Sequence, residues 1–526
     1  MQNVREPEGL ADIPMQSMGV EMSSTGRASA YFQRVMGKMM GDATGEDQTR
    51  VAWLSGTLFF VVGGYWLLRS IKDPIMTAID GVEYIPQAKM LSLVVVFGCV
   101  IIYNKLLDYY PKHTLFYMMG TFYGCLFGTI GLLLMHPTIG LPNTQADPSR
   151  LLGWISYVSI ESFGSMVVQC FWALVNATVD VNFGKKNFGI IVAGAQIGAI
   201  MGPALATQAE TLGIPFLYLV GSAVMFVMVS AMYLYVQRFG GVKDEVVVVK
   251  DEEDSPAAKA KKDGAGIMGG FVLLMEHNFV KGLFAVSSLY MVQLTIIDYQ
   301  LKVLARERFM GMYPDDTDHA LKSFAAFMGL FGILTNSISF LFSLLGTSKF
   351  IQAFGLAYSL IAFPAIMLMA TAVLYITPDI WTTLGVMMLM KALGYALNNP
   401  AKEILYQATS TDIKFKCKSW IDTFGQRSAK AAGSLVTNAC ADSMADLINY
   451  GTVVGIFMST FLIWVAQYMG RTFDELQAVG SKVGEGELPV VGMAAVPVDT
   501  RDRSNEGSAR QRLVSGDDDG SESGDI

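Results

Sequence analysis

The sequence predicts an all-α polytopic membrane protein, with about twelve transmembrane helices arranged as two six-helix pseudo-repeats. Three observations predict it. Its 526 residues are 52% hydrophobic and only 16% charged, with mean hydropathy +0.40, whereas soluble domains carry roughly 25% charged residues. Twelve runs are apolar over about 20 residues, long enough to cross a bilayer as helices. A polar segment of mixed charge separates the first six from the last six.

The runs fall at about 51–71, 88–107, 114–135, 152–175, 188–208, 213–236, 279–301, 321–346, 350–375, 380–398, 421–440 and 447–469. The tenth and eleventh are short or broken by polar residues. Between the sixth and seventh lies GGVKDEVVVVKDEEDSPAAKAKKDGAG, a composition that links domains flexibly. The chain thus divides into a polar N-terminal tail at 1–50, a first half at 51–237, a linker at 238–270, a second half at 271–470 and a tail at 471–526. The last tail is rich in Gly, Ser and Asp and reads as disordered. Its Asp517, Asp518, Asp519, Glu522 and Asp525 supply much of the net charge of −8, so that total says little about a ligand. The first 45 residues lack an apolar core, so the first run is expected to act as the insertion signal in place of a cleaved leader.

Positive charge alternates between connections. Lys105 and Lys112, Lys185 and Lys186, the linker lysines Lys259, Lys261 and Lys262, Lys349, and Lys414, Lys416 and Lys418 fall on one side. The opposite loops are poorer, apart from Lys302, Arg306 and Arg308 after the seventh run. The positive-inside rule then places both termini and the linker in the cytosol.

The halves echo one another at an offset of about 231 residues. NATVDVNFGKKNFGIIVAGAQIGAIMG begins at Asn176 and QATSTDIKFKCKSWIDTFGQRSAKAAG at Gln407; Gly194 matches Gly425 and Gly202 matches Gly433. Lys72 ends the first run much as Lys302 ends the seventh. Parallel six-span repeats are the plan of major-facilitator transporters, which hold substrate between halves near mid-membrane. The copies differ in charge: Gln196 corresponds to Arg427 and Ala199 to Lys430. Gly194, Gly198 and Gly202, four apart, suit close helix packing, whereas the second copy adds cations.

Ionisable groups inside spans are costly and mark function by default. YWLLRSIKDP carries Arg69, Lys72 and Asp73, with Arg69 and Lys72 on one face; Pro74 is expected to mark a break. Snorkelling to the interface is the alternative for Lys72 and Asp73. Glu161 lies deep in the fourth run, and Asp298 and Lys302 are spaced for an i,i+4 pair. The stretch from Lys391 to Lys430 is densest, with Lys391, Lys402, Lys418, Arg427 and Lys430 beside Glu403 and Asp422. There Asn398, Asn399 and Pro400 would interrupt the tenth span and expose polar backbone, as cavity-lining helices do. Lys414 and Lys416 read as ordinary cytosolic charges. Cations outnumber carboxylates in this set, which suits a polyphosphate, with Arg forking onto oxygens and Lys acting as a point charge. Tyr65, Trp66, Trp172 and Tyr395 could stack on a base, though packing is the commoner use of such residues.

The five cysteines and four histidines show no ligand-like spacing, so neither a metal nor a cofactor is expected. There is no GxxxxGK[ST] motif and no nucleophile–base or metal constellation, which argues against an enzyme. Charges scattered over two halves fit alternating access better than the residue ring of a channel filter. A small-molecule substrate and the lipid bilayer are the expected partners, with no nucleic acid and a monomeric state.

At these residues the chain resembles the ATP/ADP translocases, or nucleotide transporters, of plastids and obligate intracellular bacteria. The resemblance spans about 51–470 and is most specific in LLRSIKDPIM, SFGSMVVQCFWALVN, FGIIVAGAQIGAIMGP and NNPAKEILYQATSTDIKFKCKSWIDTFGQRSAKAAGS. Four charged positions tied to transport in that family fall on Lys72, Glu161, Asp298 and Lys418. At 298 the family has Glu, so Asp keeps the charge and shortens the reach. The resemblance implies exchange of ATP for ADP by alternating access. Import of a broader set of nucleoside or deoxynucleoside triphosphates, in some members by proton symport, remains an alternative. It also implies a plastid envelope or another endomembrane of ER type, with other nucleotides and phosphate as further substrates.

Overall fold

The computed structural model describes residues 45–179, 181–240, 266–345, 347–410, 413, 417–441 and 443–484. The expected N-terminal tail up to 44, the linker at 241–265, Lys414, Lys416 and everything from 485 onward lie outside the described residues. The first half contains α1 (Gly45–Ile79), α2 (Ile85–Tyr109), α3 (Lys112–Leu133), α4 (Leu151–Thr178), α5 (Val181–Ala206) and α6 (Ile214–Phe239). In the second half, α7 (Asn278–Met312) is followed by α8 (Thr317–Leu345) and α9 (Thr347–Ile376). Next come α10 (Ile380–Leu393, continued through Asn399–Leu405), α11 (Lys418–Trp420, continued through Gln426–Ala439) and α12 (Met444–Val479).

Among the described residues, ten helices are long and apolar enough to cross a membrane. The tenth and eleventh expected spans are helical but fall short of that standard. In α10 the apolar stretch is only Ile380–Leu393, and a π turn at Gly394–Asn398 follows it. In α11 a π turn at Ile421–Gly425 precedes the polar QRSAK. Both helices face the space between the halves, where charge is tolerated because lipid does not touch it. A further π turn, Ala285–Leu289, lies in α7; these turns are all in the second half. Three boundaries also differ from the sequence reading. α1 starts at Gly45 and passes through Pro74 to Ile79, because Ile75, Met76 and Ile79 are fully buried and packing outweighs one lost hydrogen bond. α12 continues past 470 to Val479 and ends at Gly480, whose φ of 70° suits glycine.

Helix pairing repeats with a shift of six. α1 packs on α4, α5 and α6, and α7 on α10, α11 and α12; α3 packs on α6, and α9 on α12. The glycines explain the closest pair. At Gly194, Gly198 and Gly202 a side chain would strike the α1 backbone at Ser55, Phe59 and Gly63. The matching Gly425 and Gly433 face Ser288 and Val292 of α7. The halves meet along α2 against α11 and α5 against α8. α1 also packs on α8, and a further junction is an apolar layer where α1 ends and α2 begins: Met76, Ile85 and Tyr157 against Ile296, Tyr299 and Leu447. Gln87 adds a hydrogen bond to Asn438 there, at 3.2 Å.

Behind that layer the loop between α3 and α4 folds around Arg150. Its guanidinium donates to the carbonyls of Ile139 (3.0 Å), Asn143 (3.2 Å), Gln145 (2.9 Å) and Gly140, and reaches that of Ile79 at 3.5 Å. Asp147 N–H also donates to Ile79, at 2.9 Å. Asp80, in the turn after α1, is buried against Gly153 with neither carboxylate oxygen hydrogen-bonded; the nearby Trp154 indole gives its N–H to Pro148 instead. At the other end of the molecule, Val483 pairs with Ala408 and Ser410 through two backbone hydrogen bonds, 3.0 and 2.9 Å, which fasten the end of α12 to the α10–α11 connection.

Two outcomes follow. Gly198→Val should cost on the order of 1–3 kcal/mol by overpacking the α1–α5 contact, read as thermal unfolding in detergent. Gly189→Ala, where a side chain meets nothing within 4 Å, should be neutral. Burial pushes the Asp80 carboxyl up to about 7 despite the nearby Arg150 charge. Between the usual value of about 3.9 and that figure, the folded protein holds a proton that the unfolded chain releases. Stability should therefore fall as pH rises through this window and level off above it. Asp80→Asn should remove that slope, and an unchanged slope would clear Asp80.

Candidate functional site

Between the halves lies a cavity enclosing about 1140 Å³, part of it open to solvent. Seven basic side chains line it: Arg69, Lys72, Lys89, Lys302, Lys391, Arg427 and Lys430. Three carboxylates accompany them, Asp73, Glu161 and Asp298, which leaves a formal excess of four positive charges among the described residues.

The first cluster is built on one face of α4. Tyr157, Glu161 and Ser165 are four apart and so stand in a row. The Tyr157 ring lies 3.9 Å below the Lys72 ammonium, and Lys72 donates to Glu161. Arg69, one turn before Lys72 in α1, comes to 3.8 Å from the same carboxylate and donates to Tyr65 at 2.6 Å. Ser165 accepts from Arg427 of α11, across the halves, and Lys430 lies within electrostatic reach of Glu161. Lys72 is only 4% exposed, so it is a buried charge held by Glu161 rather than a snorkelling interface residue.

The second cluster centres on Asp298 of α7. Lys302 donates to it at 2.6 Å as the expected i,i+4 pair, Lys89 of α2 at 2.9 Å, and Lys391 of α10 lies at 3.4 Å. Lys302 also meets Asp73 of α1 at 3.0 Å. Two ion pairs thus cross the halves in opposite senses, Lys89 to Asp298 and Lys302 to Asp73. All four residues line the cavity, as does Tyr157 of the apolar layer where α1 ends.

Of the residues singled out in the sequence, Arg69, Lys72, Glu161, Asp298, Lys302, Arg427 and Lys430 converge on this cavity. Lys418, Asn398 and Asn399 do not line it. Lys418 pairs with Glu403 at 2.5 Å, both partly solvent-exposed. Asn398 is buried and donates to the Val286 carbonyl at 3.2 Å, which holds the π turn of α10 against that of α7. Asn399 opens the following helix beside Pro400. Lys89 was missed; its only signal is a lysine just inside an apolar run, which reads as an interface charge.

The family model described as "TLC ATP/ADP transporter" matches residues 45–388. The ADP,ATP carrier protein 1, chloroplastic, of Arabidopsis thaliana is 23% identical over 513 residues, covering 86% of this chain and 78% of its own. ADP,ATP carrier protein 1 of Chlamydia muridarum is 24% identical over 441 residues, covering 72% and 79%. Among solved structures, the nucleoside transporter NupG superposes with a TM-score of 0.51 at 14% identity, covering 81% of this chain and 99% of that one. A bacterial homologue of the iron transporter ferroportin gives 0.55 at 13% identity, covering 80% and 98%. At these identities the likeness is one of fold alone.

The ion pairs make a stability prediction. Lys302 serves two carboxylates and is 3% exposed, so Lys302→Met should cost on the order of 3–5 kcal/mol by leaving buried charge uncompensated. Asp73→Asn should cost less, because Asp298 still holds Lys302. The double variant should be more stable than Lys302→Met alone, because it neutralises a carboxylate that Lys302→Met leaves unpaired, and additive losses in detergent unfolding would refute the pairing.

Proposed function

This chain belongs to the TLC ATP/ADP transporter family, and on that premise we propose that it carries nucleotides across a membrane, exchanging ATP for ADP by alternating access. The observation that carries this reading is the convergence of seven basic side chains from both halves on one cavity. Their excess over carboxylates equals in magnitude the charge of a fully ionised nucleoside triphosphate. Lys72 and Arg69 come from the first half, and Lys391, Arg427 and Lys430 from the second. Phosphate oxygens bridging them would draw the halves together over the substrate.

The carboxylates refine how exchange is enforced. Five of the seven cations have a carboxylate: Glu161 holds Lys72 and Arg69, and Asp298 holds Lys89, Lys302 and Lys391. A polyphosphate must compete for them, and in doing so it loosens Lys89 from Asp298, one of the two pairs closing the cavity beyond the substrate. Opening that side without substrate would part Lys89 from Asp298 and Lys302 from Asp73, which takes Lys89 and Asp73 from these partners. Separating such charges away from water costs several kcal/mol, so the return step requires a nucleotide, as only a ligand with differential affinity can shift the equilibrium. The protein acts as a carrier, with no chemistry on the nucleotide. We place it in a plastid envelope or another endomembrane, with both termini in the cytosol. Support comes from the chloroplastic relatives and from the lysine-bearing connections on the linker side.

Uptake of labelled ATP into liposomes bearing the purified chain tests the reading. Rates should rise at least several-fold when ADP is enclosed; equal rates with and without it would sink exchange and favour symport. Lys72→Ala and Glu161→Gln should each lower uptake by about tenfold or more, since charge-assisted hydrogen bonds contribute roughly 1.5–3 kcal/mol. Wild-type rates would remove both residues from the site.

A further inference from the structure

The sequence offers four aromatic side chains that could meet a base, and the structure separates them. Tyr65 is packed against Phe163 and hydrogen-bonded by Arg69. Trp172 is packed between Phe171 and Phe188, away from the cavity. Trp66 and Tyr395 both line it, from opposite halves.

Tyr395 is unusual in its surroundings. It is 50% exposed although its helix lies within the bundle, and among the described residues its ring has no aromatic partner and its hydroxyl no hydrogen bond. The π turn at Gly394–Asn398 holds it there. Asn398 ties the turn to Val286, and the Tyr290 and Phe363 rings, 5.3 Å apart, back it at Gly394. A π turn re-aims side chains and recurs at functional sites. Trp66 stands one turn before the phosphate-side residues, with the Arg69 guanidinium 5.3 Å from its ring centre. Tyr395 is also within electrostatic reach of Arg69. Much of the neighbouring lining is apolar and flexible: Leu294, Met328, Met387 and Met390. Such a wall grips a flat ring by dispersion and sulfur–aromatic contact and offers few groups to read the ring's edge.

We propose that Trp66 and Tyr395 form a two-sided stacking clamp for the heterocyclic base, with Arg69 marking where base recognition gives way to phosphate recognition. This rests on the nucleotide reading above and extends it. The clamp reads the face of the base rather than its edge, so it favours large rings and discriminates weakly among them. Because its jaws belong to different halves, it closes fully only as the halves approach.

The test uses the full chain in liposomes, with ATP, GTP, CTP and UTP as substrates and inorganic tripolyphosphate as a competitor that lacks a base. Tyr395→Leu keeps an apolar side chain without the ring and should weaken ATP and GTP by about tenfold, the order of one lost stack. CTP and UTP should weaken less, with inhibition by tripolyphosphate unchanged. Tyr395→Phe should behave as wild type, and Trp66→Leu should repeat the Tyr395→Leu pattern. Wild-type nucleotide affinities in Tyr395→Leu, or an equal loss for tripolyphosphate while Tyr395→Phe remains active, would overturn the clamp and leave the nucleotide reading intact. A wild-type chain that takes up no nucleotide would overturn both.

Discussion

Taking an ion out of water costs several kcal/mol unless an opposite charge meets it, so seven basic side chains can share one membrane cavity only where carboxylates hold them. Glu161 and Asp298 do most of this. Glu161 gathers two cations from α1, and Asp298 gathers three from three helices. The site, the closure beyond it and the coupling between halves all follow from where these two carboxylates stand. Asp298 contributes most, because its partners come from α2, α7 and α10.

The two halves solve one packing problem differently. In the first, small residues bring α5 against α1 so closely that a methyl group would not fit. In the second, Gly425 and Gly433 keep the corresponding contact with α7, while Arg427 and Lys430 project into the cavity. The π turns of α7, α10 and α11 accompany this change. They cost regular helix but turn Tyr395 toward the cavity and fix Asn398 against α7. The first half reads as scaffold carrying a short charged motif, and the second as the part shaped around the ligand.

Much of this was legible in the sequence because bilayer thickness and helical period write themselves into local patterns. The spans, the repeat, the Asp298–Lys302 spacing and the intramembrane Glu161 all show in windows of a few residues. Lys89 did not, because its partner Asp298 lies 209 positions away and nothing near Lys89 records it. Asn398 misled for a related reason. A polar residue breaking an apolar helix signals either a ligand or a buried backbone partner, and only the fold shows that the Val286 carbonyl is that partner. The end of α12 was placed too early because its last turns are polar, although Phe473 and Leu476 remain buried.

The clamp around Arg150 has a consequence for leakage. One guanidinium gathers the α3–α4 loop and, with Asp147, ties it to the last carbonyl of α1. The end of α1 therefore cannot peel away by itself. It is tied to α3 and α4, so parting the ion pairs of Asp73 and Lys89 is coupled to parting the apolar layer beside them. A barrier that opens only as a block has few partly open states through which ions could slip, so the tightness of the membrane seal depends on a loop that never touches the substrate.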